Sequence, residues 1–340
     1  MSRIAILGAG SWGTALAIIL SRSPRKHEIA LWARDAALAA SLQNDRENKT
    51  YLAGCKLPAI VQPTDSLRSA FEGAEIVVSA IPSAHVRAVF TQALPYLRAP
   101  VPLVSATKGL EPLTHLRMSE VLKQTLAANF LAEIVVLSGP SFALEAALGE
   151  PTAVVVASPS VNGETPLATR IQEEFAAPGF RLYTNDDVLG VELAGAMKNV
   201  VAIAAGACEG LGLGSNAQAA LITRGLAEMT RLAVALGAKA ETLAGLAGLG
   251  DLVLTCKGAQ SRNRMVGVQL GQGRTVPEIL SGMHMVAEGV NTAAPLLALA
   301  HQHHIELPIT EQVDAILHRN LPAREAIREI MDRPQKRESN

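Results

Sequence analysis

Along the first half of the chain, short apolar runs rich in Val and Ile alternate with stretches of helical periodicity. The runs fall at residues 4–7, 29–32, 76–81, 102–106, 134–137 and 153–157. Several are apolar at consecutive positions, the pattern of a parallel strand covered on both faces. Between them lie helix-like segments such as residues 12–20 and 86–94. This alternation predicts an α/β sheet wound with helices on both sides.

The pattern changes near residue 188. From there β-branched runs are rare, Ala, Leu and Gly dominate, and helical stretches are expected at 189–208, 217–236, 292–301 and 311–317. The expected organisation is an N-terminal domain over residues 1–188 and an all-helical C-terminal domain over 189–340. The most apolar stretch, 188–208, contains Glu192, Lys198 and Asn199. It reads as a buried helix and not as a membrane span.

Composition narrows the functions available. A chain of 340 residues accommodates two domains, and with 49% hydrophobic residues it can bury a large core. Lys and Arg number 30 against 31 Asp and Glu. No basic excess is present to hold nucleic acid or an anionic membrane, so any anion must be recognised locally. Cys55, Cys208 and Cys256 are odd in number and widely spaced. They offer neither a disulfide framework nor a metal site, which suits a reducing, cytoplasmic setting. The N-terminus runs straight into a strand-like segment without the features of a signal peptide. The Gly-rich, apolar helical half is compatible with a homodimer.

The glycine pattern carries the first chemical signal. Gly8-Ala9-Gly10-Ser11-Trp12-Gly13 follows a predicted strand and opens an alanine-rich helix. Gly8 would allow a tight turn, Gly10 close approach of a pyrophosphate, and Gly13 close helix–strand packing. Free N–H groups at the helix start would face the phosphates. A plain turn is the competing explanation. About twenty residues on stand Arg34 and Asp35. A carboxylate there serves the ribose hydroxyls of NAD, and an Arg the 2′-phosphate of NADP. Arg34 leans the choice towards NADPH over NADH; a solvated charge pair is the alternative.

Lys198 is the second signal. A lysine in so apolar a helix is costly to bury unless it is paired. Burial and nearby positive charge would lower its pKa and suit it to proton transfer. A structural pairing with a carboxylate explains it equally well. Lys108, in Ser105-Ala106-Thr107-Lys108-Gly109, ends a predicted strand, where ligands of open α/β sheets bind. Asp251 is the one charge in an apolar stretch, and Ser261-Arg262-Asn263 could grip a phosphate or form a solvated loop. His301, His303 and His304 lack metal-ligand spacing, and no metal is expected.

These motifs, with Ser138-Gly139-Pro140-Ser141-Phe142-Ala143 and Val286-Ala287-Glu288-Gly289, occur in the order found in one family. From about residue 4 to 313 the chain resembles the bacterial NAD(P)-dependent glycerol-3-phosphate dehydrogenases. The resemblance implies a Rossmann-type doubly wound sheet followed by an all-helical C-terminal domain. It implies NAD(P)H-dependent reduction of dihydroxyacetone phosphate to sn-glycerol 3-phosphate at the entry to glycerophospholipid synthesis. By the same resemblance, Ser11, Trp12 and Arg34 hold the cofactor together with Gly8, Gly10 and Gly13. Lys108, Ala143, Arg262, Val286 and Glu288 border it. Lys108, Gly139, Ser141, Asp251, Thr255, Ser261, Arg262 and Asn263 line the substrate site, with Asp251 organising the lysines and Lys198 exchanging the proton. Two other readings stay open at this stage: a related 3-hydroxyacid or 6-phosphogluconate type of dehydrogenase, and a dinucleotide-binding sensor without turnover.

Overall fold

The computed structural model describes residues 2–97, 100–126, 133–283, 286–335 and 337–338. The chain divides into two compact units, one of Met1–Gly195 with Ala238–Asp251, the other of Ala196–Gly237 with Leu252–Asn340.

The first unit is built on a sheet of eight strands. They are β1 (Arg3–Leu7), β2 (Glu28–Trp32), β5 (Val61–Thr64), β6 (Ile76–Ser79), β7 (Leu103–Ser105), β8 (Ile134–Ser138), β9 (Thr152–Ala157) and β10 (Phe180–Asn185), in the order β10-β9-β8-β7-β6-β1-β2-β5. All pairs are parallel except β8 with β9. A small antiparallel hairpin, β3 (Glu47–Asn48) and β4 (Leu52–Lys56), lies outside the main sheet. The six strands expected from the apolar runs are present. Four were not foreseen: the hairpin and the two edge strands, β5 and β10.

Helices cover both faces. These are α1 (Ser11–Ser21), α2 (Ala36–Asp45), α3 (Leu67–Phe71), α4 (Val86–Ala93), α5 (Met118–Leu126), α6 (Ala143–Leu148) and α7 (Pro166–Phe175). Alternate strand residues point to opposite faces. Ile4 and Ile6 therefore pack with buried residues of α1, α2, α6 and α7. Ala5 and Leu7 pack instead with α3, α4 and α5. Two covered faces explain why the strands read as apolar at every position.

The chain continues with α8 (Val188–Gly210), α9 (Ser215–Ala235), α10 (Ala240–Ala244), α11 (Asp251–Lys257), α12 (Arg262–Gly271), α13 (Val276–Ser281), α14 (Glu288–Gln302), α15 (Pro308–His318) and α16 (Ala323–Met331). Among the described residues, the regular structure of the second unit is all helical. Among the described residues, α8 is the one helix long and apolar enough to cross a membrane, and 83% of its most apolar window is buried. That burial is what a core helix shows.

Local chemistry sets several helix starts. Asp35 caps α2 and Ser261 caps α12 with side-chain oxygens, and α13 opens with a capping box of Thr275 and Glu278. The start of α15 is satisfied from another helix. Glu228 of α9 accepts from Ile309 N at 2.7 Å, and from Thr310 N and Oγ1 at 3.3 Å each.

Candidate active site

In the first unit, β1 pairs with β2 on one side and with β6 on the other. The winding reverses there, and loops leaving the carboxyl ends of β1 and β6 border a crevice of the kind that receives ligands. Gly8 follows β1 with φ +111°, and a Cβ on it would stand 2.6 Å from Ala80 O. A Cβ on Gly13 would overlap Gly8 O. Both glycines are thus required by the chain itself. Gly10 is different. Its φ of −76° suits any residue, and a Cβ there would meet no protein atom within 4 Å. What its missing side chain leaves is a cradle beside the first turn of α1, which no side chain caps. A pyrophosphate fits such a place, with N–H donors and the positive helix end facing it. Ser11 and Trp12 form that first turn, and the Trp12 ring leans on Phe180 at 6.5 Å between centroids.

Arg34 is exposed just beyond β2. Asp35 beside it is occupied, accepting from Ala37 N at 2.8 Å and Leu38 N at 3.4 Å as the cap of α2.

Lys108 stands beyond the end of β7. Its ammonium donates to Asp251 Oδ2 at 2.5 Å and to Gly139 O at 3.0 Å. Asp251, at the start of α11, is 1% exposed. Ser141 Oγ donates to the same Gly139 carbonyl at 2.9 Å. Gly139 has φ +137°, and a Cβ on it would press on Val154 Cα at 2.9 Å. Gly195 of α8 faces this group: its Cβ would stand 2.9 Å from Ser138 Oγ and 3.6 Å from Lys108 Cγ. The structure therefore brings Lys108, Gly139, Ser141 and Asp251 together. Ala143 opens α6 two residues further on.

Glu192, the other charge of the apolar helix, has its own partners in this unit. It accepts from Arg117 Nη1 at 2.8 Å, Ser119 N at 2.7 Å and Ser119 Oγ at 2.6 Å. Burial pushes its carboxyl above the usual range, against the pull of Arg117 and Ser119.

In the second unit, Lys198 is 6% exposed and donates to Thr255 Oγ1 at 2.8 Å. The helix that carries Lys198 touches α12 backbone to backbone. A Cβ on Gly206 or Gly210 would overlap Arg264 O or Val268 O, and one on Gly267 or Gly271 would overlap Ile203 O or Ala207 O. This approach holds the start of α12 against α8. Asn263 Nδ2 donates to Asn199 Oδ1 at 2.9 Å, and its Oδ1 accepts from Gly289 N at 3.0 Å. Arg262 Nη1 donates to Val286 O at 2.7 Å. Burial draws its guanidinium below the ordinary value, opposed by the Glu288 carboxylate. Glu288 is the first residue of α14. Ser261 spends its oxygen on Arg264 N at 3.2 Å as the cap of α12. The Ser-Arg-Asn run is thus a helix start and not a solvated loop.

Sequence reasoning passed over three features. The partners of Glu192 are remote in sequence and left no local signal. Asn48, buried beneath the glycine loop, lies in a polar stretch without periodicity. The paired glycines of α8 and α12 did carry a signal, the four-residue spacing in each helix.

Two family models match. Residues 3–163 match the N-terminal part of NAD-dependent glycerol-3-phosphate dehydrogenase, and residues 187–328 its C-terminal part. A glycerol-3-phosphate dehydrogenase (NAD(P)+) of Koribacter versatilis is 54% identical over 98% of both chains. Its counterpart in Citrifermentans bemidjiense is 50% identical over 99% of this chain and 98% of its own. The crystal structure of glycerol-3-phosphate dehydrogenase from Coxiella burnetii superposes with a TM-score of 0.92 at 41% identity, covering 98% of this chain and 99% of that one. Matched in both halves and over 98% of its length by a relative, the chain belongs to the NAD-dependent glycerol-3-phosphate dehydrogenase family.

Proposed function

We propose that the chain reduces dihydroxyacetone phosphate to sn-glycerol 3-phosphate with NADPH or NADH, reversibly, and so supplies glycerophospholipid synthesis. The observation that carries the reading is the buried Lys198 ammonium, held by Thr255, in a chain that matches this family over residues 3–163 and 187–328.

The 8–13 loop and the uncapped start of α1 would receive the pyrophosphate, with Ala143, Val286 and Glu288 bordering the cofactor. When bound, the reduced nicotinamide supplies hydride to the substrate carbonyl carbon. Lys198 stabilises the negative charge that grows on the carbonyl oxygen and delivers a proton to it. Thr255 Oγ1 orients the ammonium for that task. Lys108, fixed by Asp251 and by the Gly139 carbonyl, adds positive charge for an anionic substrate, with Ser141 beside it. Arg262 and Asn263 grip the phosphate, so that remote binding energy is spent on orientation. The bonds of Asn263 to Asn199 and Gly289 leave one N–H of its amide for this.

NADPH is the preferred cofactor in this reading. Arg34 is free to meet a 2′-phosphate, while the neighbouring Asp35 is committed to capping α2. A cytoplasmic location goes with three buried cysteines that form no disulfide among the described residues. A homodimer is part of the proposal, supported by exposed apolar side chains such as Val234 and Met265 in the helical unit, and light scattering measures it.

The test is loss of NADPH absorbance on adding dihydroxyacetone phosphate, with wild type and Lys198→Ala side by side. Rapid oxidation by wild type, abolished in the variant while cofactor binding persists, is the expected result. No oxidation by folded, cofactor-bound wild type sinks the substrate assignment.

A further inference from the structure

The glycine loop has a support that the chemistry above does not use. Asn48 is the second residue of β3, in the hairpin outside the main sheet. It is fully buried. Its Nδ2 donates to Ala9 O at 2.9 Å and to Thr14 Oγ1 at 2.8 Å, and its Oδ1 accepts from Tyr51 N at 3.1 Å. Both amide hydrogens are therefore spent, one on the loop and one on the first turn of α1, on either side of Gly10. The third bond anchors the side chain to its own hairpin.

The consequence follows from peptide geometry. In a trans peptide the carbonyl and the following N–H point in opposite directions. Fixing Ala9 O towards Asn48 fixes the Gly10 N–H away from it. This peptide turns on ψ of Ala9 and φ of Gly10, and glycine resists rotation less than any other residue. Nothing crowds Gly10 to hold the plane sterically. The second bond ties the same amide to Thr14, whose N–H donates to Gly10 O at 3.0 Å. Loop and first helical turn are thereby held as one piece.

We propose that Asn48 is a positioning residue for the cofactor: it presets the Ala9–Gly10 peptide so that the loop meets the pyrophosphate already in its binding orientation. The inference rests on the reading that the 8–13 loop receives the cofactor. A preset loop loses little entropy on binding, so the benefit appears in cofactor affinity and not in the turnover of bound substrate. Asn48→Asp is the sharpest perturbation. It keeps the shape and the acceptor for Tyr51 N, but turns a carboxylate oxygen towards the Ala9 carbonyl, where a donor is required.

The experiment measures NADPH dissociation constants by fluorescence, with kcat and KM for both substrates, for wild type, Asn48→Asp, Thr14→Val and Gly10→Ala. Asn48→Asp is expected to weaken NADPH binding about tenfold or more, with kcat at saturation within about twofold. Thr14→Val, which leaves the Ala9 bond intact, should weaken it less than about threefold. Folded Asn48→Asp with unchanged NADPH affinity overturns the proposal, as does a fall in kcat with KM for NADPH unaltered. Should the aspartate variant not fold, the wild-type apoprotein decides by hydrogen exchange. The Asn48 side-chain amide is expected to be protected equally with and without NADPH; protection that appears only with NADPH overturns the proposal. Gly10→Ala separates the two readings. If it leaves NADPH affinity unchanged, the loop is not the cofactor site. If it weakens binding while Asn48→Asp does not, only the role of Asn48 fails.

Discussion

Glu228 gives a pH dependence whose sign can be worked out. The residue lies in the middle of α9, buried, and its carboxylate is the cap that the start of α15 lacks from its own residues. Burial is the largest influence and pushes its pKa from 4.5 up to about 7, against the hydrogen bonds from Ile309 and Thr310 and the charge of Arg231. Between about pH 4.5 and pH 7 the folded protein holds a proton that the unfolded chain has released. Stability therefore falls as pH rises through that window, and the loss is complete above about 7. A difference of about 2.5 pH units, at about 1.4 kcal/mol each, corresponds to about 3.5 kcal/mol. The positive end of α15 attracts the carboxylate and works the other way, so this is an upper bound. Glu228→Gln removes the titration. Its amide oxygen can accept from Ile309 N, but its NH2 meets the Thr310 N–H donor, a mismatch costing about 1 kcal/mol. At about pH 4 the wild type should be the more stable by about 1 kcal/mol. At about pH 8.5 the order reverses, with the variant ahead by about 1–2 kcal/mol. Thermal unfolding of both apoproteins at the two pH values and equal ionic strength reads this directly, because all other titrations cancel in the difference. An identical gap between the two proteins at both pH values refutes the reasoning.

Two other predictions concern the cofactor half. Gly13→Ala places a methyl group on Gly8 O, a backbone atom that cannot rotate away, and should cost about 3 kcal/mol or more in stability; Gly10→Ala should stay within about 0.5 kcal/mol of wild type. Unfolding of the apoproteins compares them, and equal stability of the two variants contradicts the division between structural and ligand-facing glycines. Arg34→Ala should raise KM for NADPH about tenfold and leave KM for NADH within about twofold, since only the 2′-phosphate distinguishes the cofactors. Equal losses with both cofactors in steady-state kinetics remove Arg34 from that role.

The central strands were legible because both faces are covered: β1, β6 and β9 are apolar at nearly every position, and no other element produces such short β-branched runs. The edges were not. β5 carries Pro63, which has no N–H to donate and is tolerated at a sheet edge, and β10 alternates buried with exposed residues as an edge strand does. The hairpin at 47–56 is polar and contains Gly54, so nothing in its pattern separated it from a loop. Of the candidate site, residues lying in contiguous motifs stood out in the sequence, as with Gly8 to Gly13. What sequence could not supply was how each group is occupied. That Asp35 caps a helix, that Ser261 does likewise, and that Glu192 answers Arg117 and not a lysine are facts of pairing over distance. Four of the glycines had the same character: the spacing was visible, but the partner helix was not.

The glycine contact between α8 and α12 makes the gap between those helices a constant of the main chain. Exchanges among the larger apolar residues of the helical half can accumulate over generations without altering it, since backbone meets backbone where the glycines of the two helices cross. The burden of invariance falls instead on Gly206, Gly210, Gly267 and Gly271, where even one methyl group would act as a wedge. The pair behaves as a fixed gauge, setting where the first residues of α12 stand along the helix that bears Lys198. Descendants of this scaffold could explore new substrates by exchanging the residues at the tip of α12, while the gauge beneath them kept its reading.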